Sequence, residues 1–490
     1  MRKNPQRKKG HLFWMAAATL LAAIAGGQQP PGEASVHFES RLRPWDGFGV
    51  NYVESCQTRD YRATPQDYGG FHTLSQEKRE RILDLTFGSD GLKPGLVKMF
   101  LDPFHEGMTR PQGNGPSRFD HETTTKWLRY FVREGLQRTR ARGADLQIVT
   151  TMYGPPPWTT KQKFMRGRDL DPAEKQEVAQ YMISWVKYLR DAKKFPVKYV
   201  SLHNEGEGFN RWPADGGTGG TPNNDYNMWW PSSQVVDFLR FMRPMMDREG
   251  LQDVGLTPGE TSNWETFGRW YAYFIQTDPV ALKNLGLITS HGFGLGPQAN
   301  NSLGVDVLRL AKPELHAWTT SMSFGKMDVS FVEMVRQNIY ASKVNALIPW
   351  AYIQTDDWTG GDPNPGTAFW VDGKGDYTIE EGYYLLKQLS RAGQPGMAVA
   401  DVATSDPNIQ LMAFASNGTA NPDAFIVFNL SERARPGVRI RVSGTEAKSF
   451  DAYVTGFRKK YESLGAVPVQ NGALECAVPP QAVITFFAKR

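Results

Sequence analysis

Residues 197–203 (VKYVSLH) form an apolar, β-branched run that is followed at once by Asn204 and Glu205. A carboxyl group at a strand end, beside an Asn able to orient a sugar hydroxyl, is what glycoside hydrolysis uses to protonate a leaving oxygen. Glu205 is therefore the candidate acid, and an exposed loop glutamate is the competing reading. Glu207 stands two residues on, between Gly206 and Gly208, where a less rigid hold is expected. Other run ends add groups of the kind that line sugar sites. Pro155, Pro156 and Pro157 fix the backbone before Trp158, which would offer a rigid apolar platform for a sugar ring. Glu260, His291, Trp350 and Gln354 close further runs, and for His291 and Trp350 packing in a core serves equally well. The Gly/Pro/Asn-rich stretch 206–231 carries Trp212, Trp229 and Trp230 and reads as a cleft wall, or as an anchor for the helix that follows.

Such groups need a frame that brings many strand ends to one place. Eight short runs, at 47–51, 96–101, 146–151, 197–203, 254–257, 287–291, 315–319 and 346–353, alternate with helical patterns at 75–86, 121–142, 172–194, 232–249, 265–277 and 329–344. Ser75 and Ser232 sit where helix N-caps belong. Strands alternating with helices pair in parallel, and eight units over this length predict a closed (β/α)8 TIM barrel across 44–393, with its reacting groups at the C-terminal strand ends. After 393 the pattern changes to short strands broken by turns such as Asn417-Gly418 and Asn471-Gly472. Residues 398–490 therefore read as an antiparallel β-sandwich. The alternating segment 34–43, within a lead-in of 26–43, is expected to join that sandwich.

Charge and cysteine content narrow the partners. Arg2, Lys3, Arg7, Lys8 and Lys9 precede an apolar run at 12–25 that ends Ala23-Ile24-Ala25, the layout of a cleavable signal peptide over 1–25. Removing it takes five cations from a net charge of +5, leaving 5 − 5 = 0, so a nucleic-acid partner loses its support. The expectation is a secreted or periplasmic monomer, off the membrane after cleavage. Cys56 and Cys476 read as two unlinked thiols, and no metal-type spacing or cofactor motif is found. A carbohydrate is the expected partner, with no cofactor.

The stretches WDGFGVN at 45–51, Pro-Pro-Trp at 156–158, LHNEGE at 202–207, PWAYIQ at 349–354 and LECAVPPQAVITFFA at 474–488 resemble glycoside hydrolase family 30 and its relatives in clan A. The resemblance runs from about residue 36 to the C-terminus. It implies a β-glycosidase or endo-β-glycanase in which Glu205 is the acid/base and Asn204 contacts the sugar 2-hydroxyl. It also implies a nucleophilic glutamate at the end of the seventh barrel strand, where this sequence has Ser321, leaving Ser321 beside the substrate. A serine hydroxyl does not replace a carboxylate nucleophile without a base to activate it. Three readings follow: an inverting enzyme with its base on another strand end, a retaining enzyme with a displaced nucleophile, or a non-catalytic glycan-binding protein. Glu260 is the leading second carboxylate, either as base or as a partner holding Glu205 or His291. Asp356 and Asp357 come next.

Overall fold

The computed structural model describes residues 33–52, 70–101, 110–113, 118–123, 125–163, 167–209, 228–355, 366–372, 374–456 and 458–489. The leader expected at 1–25, Cys56, Trp212, Asp356 and Asp357 lie outside the described residues. Strand β1 (Glu33–Pro44) leads into eight parallel strands. These are β2 (Gly47–Asn51), β3 (Leu96–Leu101), β4 (Gln147–Met152), β5 (Val197–Ser201), β6 (Gly255–Thr257), β7 (Ile288–Ser290), β8 (Ala317–Ser323) and β9 (Ala346–Trp350). Their order, β6-β5-β4-β3-β2-β9-β8-β7, is that of a barrel whose seam lies between β6 and β7. Isolated bridges close the seam, Leu256 to Leu285 and Thr261 to Ser290, helped by Thr289 donating to the Gly259 carbonyl at 2.8 Å.

Side chains on the inner face of the barrel change character along its axis. Leu96, Val149, Leu287, Trp318, Ala346 and Ile348 fill one level with Tyr199 against them. Because strand side chains alternate in direction, Lys98 and Thr151 come two residues further along the same faces as Leu96 and Val149. The apolar plug thus gives way to polar groups toward the C-terminal end.

Helices cover the outside. Ser75 caps the helix Gln76–Phe87, its hydroxyl accepting from Lys78 N at 3.3 Å. The expectation for Ser232 is corrected: Pro231 is the cap, Ser232 is the first helical residue, and its hydroxyl donates to the Trp270 carbonyl. Helices Leu303–Ala311 and Glu381–Ala392 were not apparent as periodic patterns. No helix among the described residues is long and apolar enough to cross a membrane.

Strands β10 (Ile353–Thr355), β11 (Phe369–Val371) and β12 (Tyr377–Ile379) form a small sheet after the barrel. The last third contributes β13 (Ala398–Thr404), β14 (Ile409–Ala415), β15 (Ala424–Asn429), β16 (Arg435–Ser443), β17 (Ser449–Gly456), β18 (Lys459–Pro468), β19 (Ala473–Val478) and β20 (Val483–Lys489). With β1 they build a nine-stranded, mostly antiparallel sheet in which β1 lies between β13 and β16. Asn417 and Gly418 both have positive φ, as a tight hairpin turn demands. Strand β15 is buried on both faces. Phe425 and Val427 enter the sandwich core, whereas Ala424, Ile426 and Phe428 pack into the core shared with the barrel. Cys476 is an unlinked thiol.

Candidate active site

The chain leaves β5 through His203 and Asn204 and reaches Glu205 with φ +46, a left-handed conformation that a glutamate adopts at some cost. Backbone ties beyond the strand ends fix the turn. Glu260 N donates to the His203 carbonyl at 2.9 Å, and Glu205 N to the Glu260 carbonyl at 2.7 Å. Asn204 forms the matching bridge with Glu260. His291 N donates to the Thr261 carbonyl at 2.7 Å, across the seam. Three side chains from three neighbouring strand ends are thereby set at one level.

They are joined. His291 Nδ1 lies 2.7 Å from Glu205 Oε1, and His291 Nε2 lies 3.1 Å from Glu260 Oε2. Glu260 Oε1 accepts from Thr151 Oγ1 at 2.6 Å, and Lys98 Nζ is ion-paired to Glu260 Oε2. Lys98 and Glu260 are wholly buried, at 0% exposure each. Burial opposes ionisation of Glu260, but Lys98 and the His291 hydrogen bond outweigh it and hold the carboxyl down to about 2. Burial likewise lowers the His291 imidazole, yet hydrogen bonds to Glu205 and Glu260 prevail and raise it.

Two neighbours stand beside these groups. His203 is pushed down to about 3 by burial, with His291 adding to the effect and Glu260 opposing it. It is a neutral ring: its Nδ1 accepts from Gly206 N at 3.1 Å, and it stacks on Trp230. Gly259, at φ +98, brings the backbone so close that a Cβ there would stand 2.1 Å from His203 Nε2. Glu207 corrects the expectation of a loosely held acid. It is buried, its Oε1 accepts from Ser262 N at 2.7 Å, and burial and then the Glu205 charge raise its carboxyl.

The remaining candidates are placed as follows. Ser321, near the end of β8, is buried and accepts from Asn51 Nδ2 at 3.2 Å. Trp350 ends β9 edge-on to Phe100, whose ring also meets Tyr153 edge-on, so an aromatic row crosses the ends of β9, β3 and β4. Trp158 has only 7% of its surface exposed and belongs to the main core. The open platform expected of it gives way to a packed ring with Arg110 over its face at 5.8 Å. Sequence reasoning passed over Lys98, Thr151, Asn51 and Phe100. Lys98 alone carried a signal, a charge in the middle of the apolar strand LVKMFL. No group of three His, Cys, Asp or Glu among the described residues is arranged to hold a metal ion.

Comparison with solved structures fits this layout. A family 30 endoxylanase from Clostridium papyrosolvens superposes with a TM-score of 0.67 at 16% identity, over 94% of this chain and 100% of its own. Xylanase C of Talaromyces cellulolyticus, also of family 30, gives a TM-score of 0.70 at 13% identity, over 94% and 100%. An endo-β1,6-glucanase gives 0.67 at 15% identity, over 94% of both chains. No protein-family model and no curated protein matches the sequence. The fold is that of the clan A glycoside hydrolases. The fold shared with these family 30 structures is, in this chain, a barrel with a side sandwich that the N-terminal strand joins.

Proposed function

We propose that this protein is an exported hydrolase of β-linked oligo- or polysaccharides in which Glu205 is the general acid. The observation that carries the reading is Glu205 itself, a carboxyl group fixed at the C-terminal end of β5 by backbone ties and by His291. In this reading Glu205 gives its proton to the departing glycosidic oxygen as the carbon–oxygen bond breaks, and the leaving sugar departs as an alcohol. Water adds at the anomeric carbon, and its proton passes to a second carboxylate. Asn204 contacts the sugar, Trp350 lines the cleft, and Ser321 lies beside the anomeric centre.

The second carboxylate is the point at which the sequence expectation is revised. Glu260 has each oxygen committed, one to Thr151 and one to Lys98 and His291. Of the two roles left open for it, this environment supports holding His291 over activating water. The same holds for His291, whose ring nitrogens both face carboxylates and not the cleft. Glu207 then takes over as candidate base, since burial and then the Glu205 charge raise its carboxyl above the ordinary glutamate value.

Ser321 favours a second reading, a glycan-binding protein without turnover. The two are separated by incubating wild type and Glu205→Gln with a panel of β-linked oligosaccharides, polysaccharides and aryl β-glycosides. The enzyme reading expects turnover that falls roughly 10²–10⁴-fold in Glu205→Gln on unactivated glycosides. A fall of less than about threefold there rejects Glu205 as the acid. Calorimetric binding of an oligosaccharide with no turnover by wild type selects the binding protein. Proton NMR of the first product separates inversion from retention.

A further inference from the structure

His291 is bracketed by two carboxylates, and that bracket constrains its protons. A carboxylate oxygen only accepts hydrogen bonds, so a ring with carboxylates on both nitrogens needs an N–H on each. Read outward from the barrel interior, Lys98, Glu260, His291 and Glu205 then alternate in charge, plus, minus, plus, minus, and sum to zero. Burial makes each of these charges costly alone and affordable only in such a chain. We propose that His291 is a positioning residue doubly protonated at neutral pH, which clamps the Glu205 carboxylate by its Oε1 so that the proton Glu205 takes up before acting as acid goes on Oε2.

Among the described residues, the titratable groups that act on the ring fit this assignment. Glu205 and neutral His203 come from the end of β5, Glu260 from beyond β6, and Lys98 from β3. The direction in which the two carboxylates move the imidazole agrees with it. Thr151 matters because it fixes the other Glu260 oxygen and so aims Oε2 at Nε2. The clamp rests on the functional reading only for its effect on turnover. The protonation state is measurable whatever the protein does.

The test uses the full chain labelled with 15N-histidine, followed by NMR as pH is raised. Eight histidines are present, and the His291 signals are assigned by their loss in His291→Gln. Both ring nitrogens should remain protonated as pH rises past the ordinary imidazole value of about 6.5. In Glu260→Gln and in Glu205→Gln the titration should fall by about one unit or more. A wild-type ring with a single N–H at about pH 6, or a titration indifferent to both substitutions, overturns the proposal. On an aryl β-glycoside, His291→Gln should lower kcat roughly 10²-fold with KM little changed. A doubly protonated ring in a protein without turnover would reject the enzyme reading and leave the clamp standing; turnover with a ring that titrates normally would do the reverse.

Discussion

Lys98 stands in a strand whose every residue is buried, and its ammonium group meets Glu260 with no solvent to share the charge. Breaking such a pair from one side leaves the other charge stranded, which typically costs about 3–5 kcal/mol. Lys98→Met should therefore destabilise the protein by about that much, measured by urea denaturation at neutral pH. Adding Glu260→Gln should recover a substantial part of the loss, because the stranded carboxylate is gone. A double variant no more stable than Lys98→Met would mean that the pair is not the source. Little of this was legible from the chain. Glu205 could be found because its strand end announced it, and Glu260 because it too closed a strand. The link between them runs through His291, 86 residues from Glu205 and 31 from Glu260, and such closeness is a property of the barrel. Ser321 was legible as a departure at strand eight of the chain, and its hydrogen bond to Asn51 was not.

At the scale of elements, the extension of β5 is the most sensitive to acid. His203 is folded neutral against Trp230 and Gly259, with its imidazole at about 3. An unfolded histidine titrates near 6.5, so below about pH 6.5 the unfolded chain takes up a proton that the folded one refuses. Stability is thus lost as pH falls from about 6.5 toward 3. Glu260 adds to the loss lower down: its contribution is present above about 4.3, the ordinary glutamate value, and disappears as pH falls toward 2. His291 acts at the other end, its contribution complete below about 6.5 and lost as pH rises through its raised value. Urea midpoints should fall between about pH 6.5 and 4, and more shallowly in His203→Asn, which keeps an acceptor for Gly206 N and does not titrate. Equal slopes would remove His203 from the account. The elements themselves were well marked, since hydrophobic alternation and caps gave β3 and the helix after Ser75 nearly to the residue. Short pieces escaped: Leu303–Ala311 spans little more than two turns, and β10 to β12 are three residues each, too brief for a period to show.

The whole molecule is two layers sharing a wall. Helix Glu381–Ala392 packs on β15, β17, β18 and β20, and Ile426, Phe428 and Val483 lie in the same core as Trp45 and Leu386. Within that wall Gln388 Nε2 donates to Thr455 Oγ1 at 2.8 Å. Removing residues 398–490 would uncover this face and strip β1 of both its partners, leaving an apolar edge. The truncated chain 26–397 should be insoluble. A soluble product with a cooperative thermal transition would show the sandwich to be dispensable. The placement of β1 also orders events during synthesis. Glu33 bonds to Ser405, 372 residues later, so at about 5–20 residues per second the strand emerges roughly 20–75 s before its partners exist. Through that interval Val36 and Phe38 have no sheet to enter. The nascent chain must carry β1 unpaired past the completed barrel, exposed to misassociation until β13 and β16 emerge.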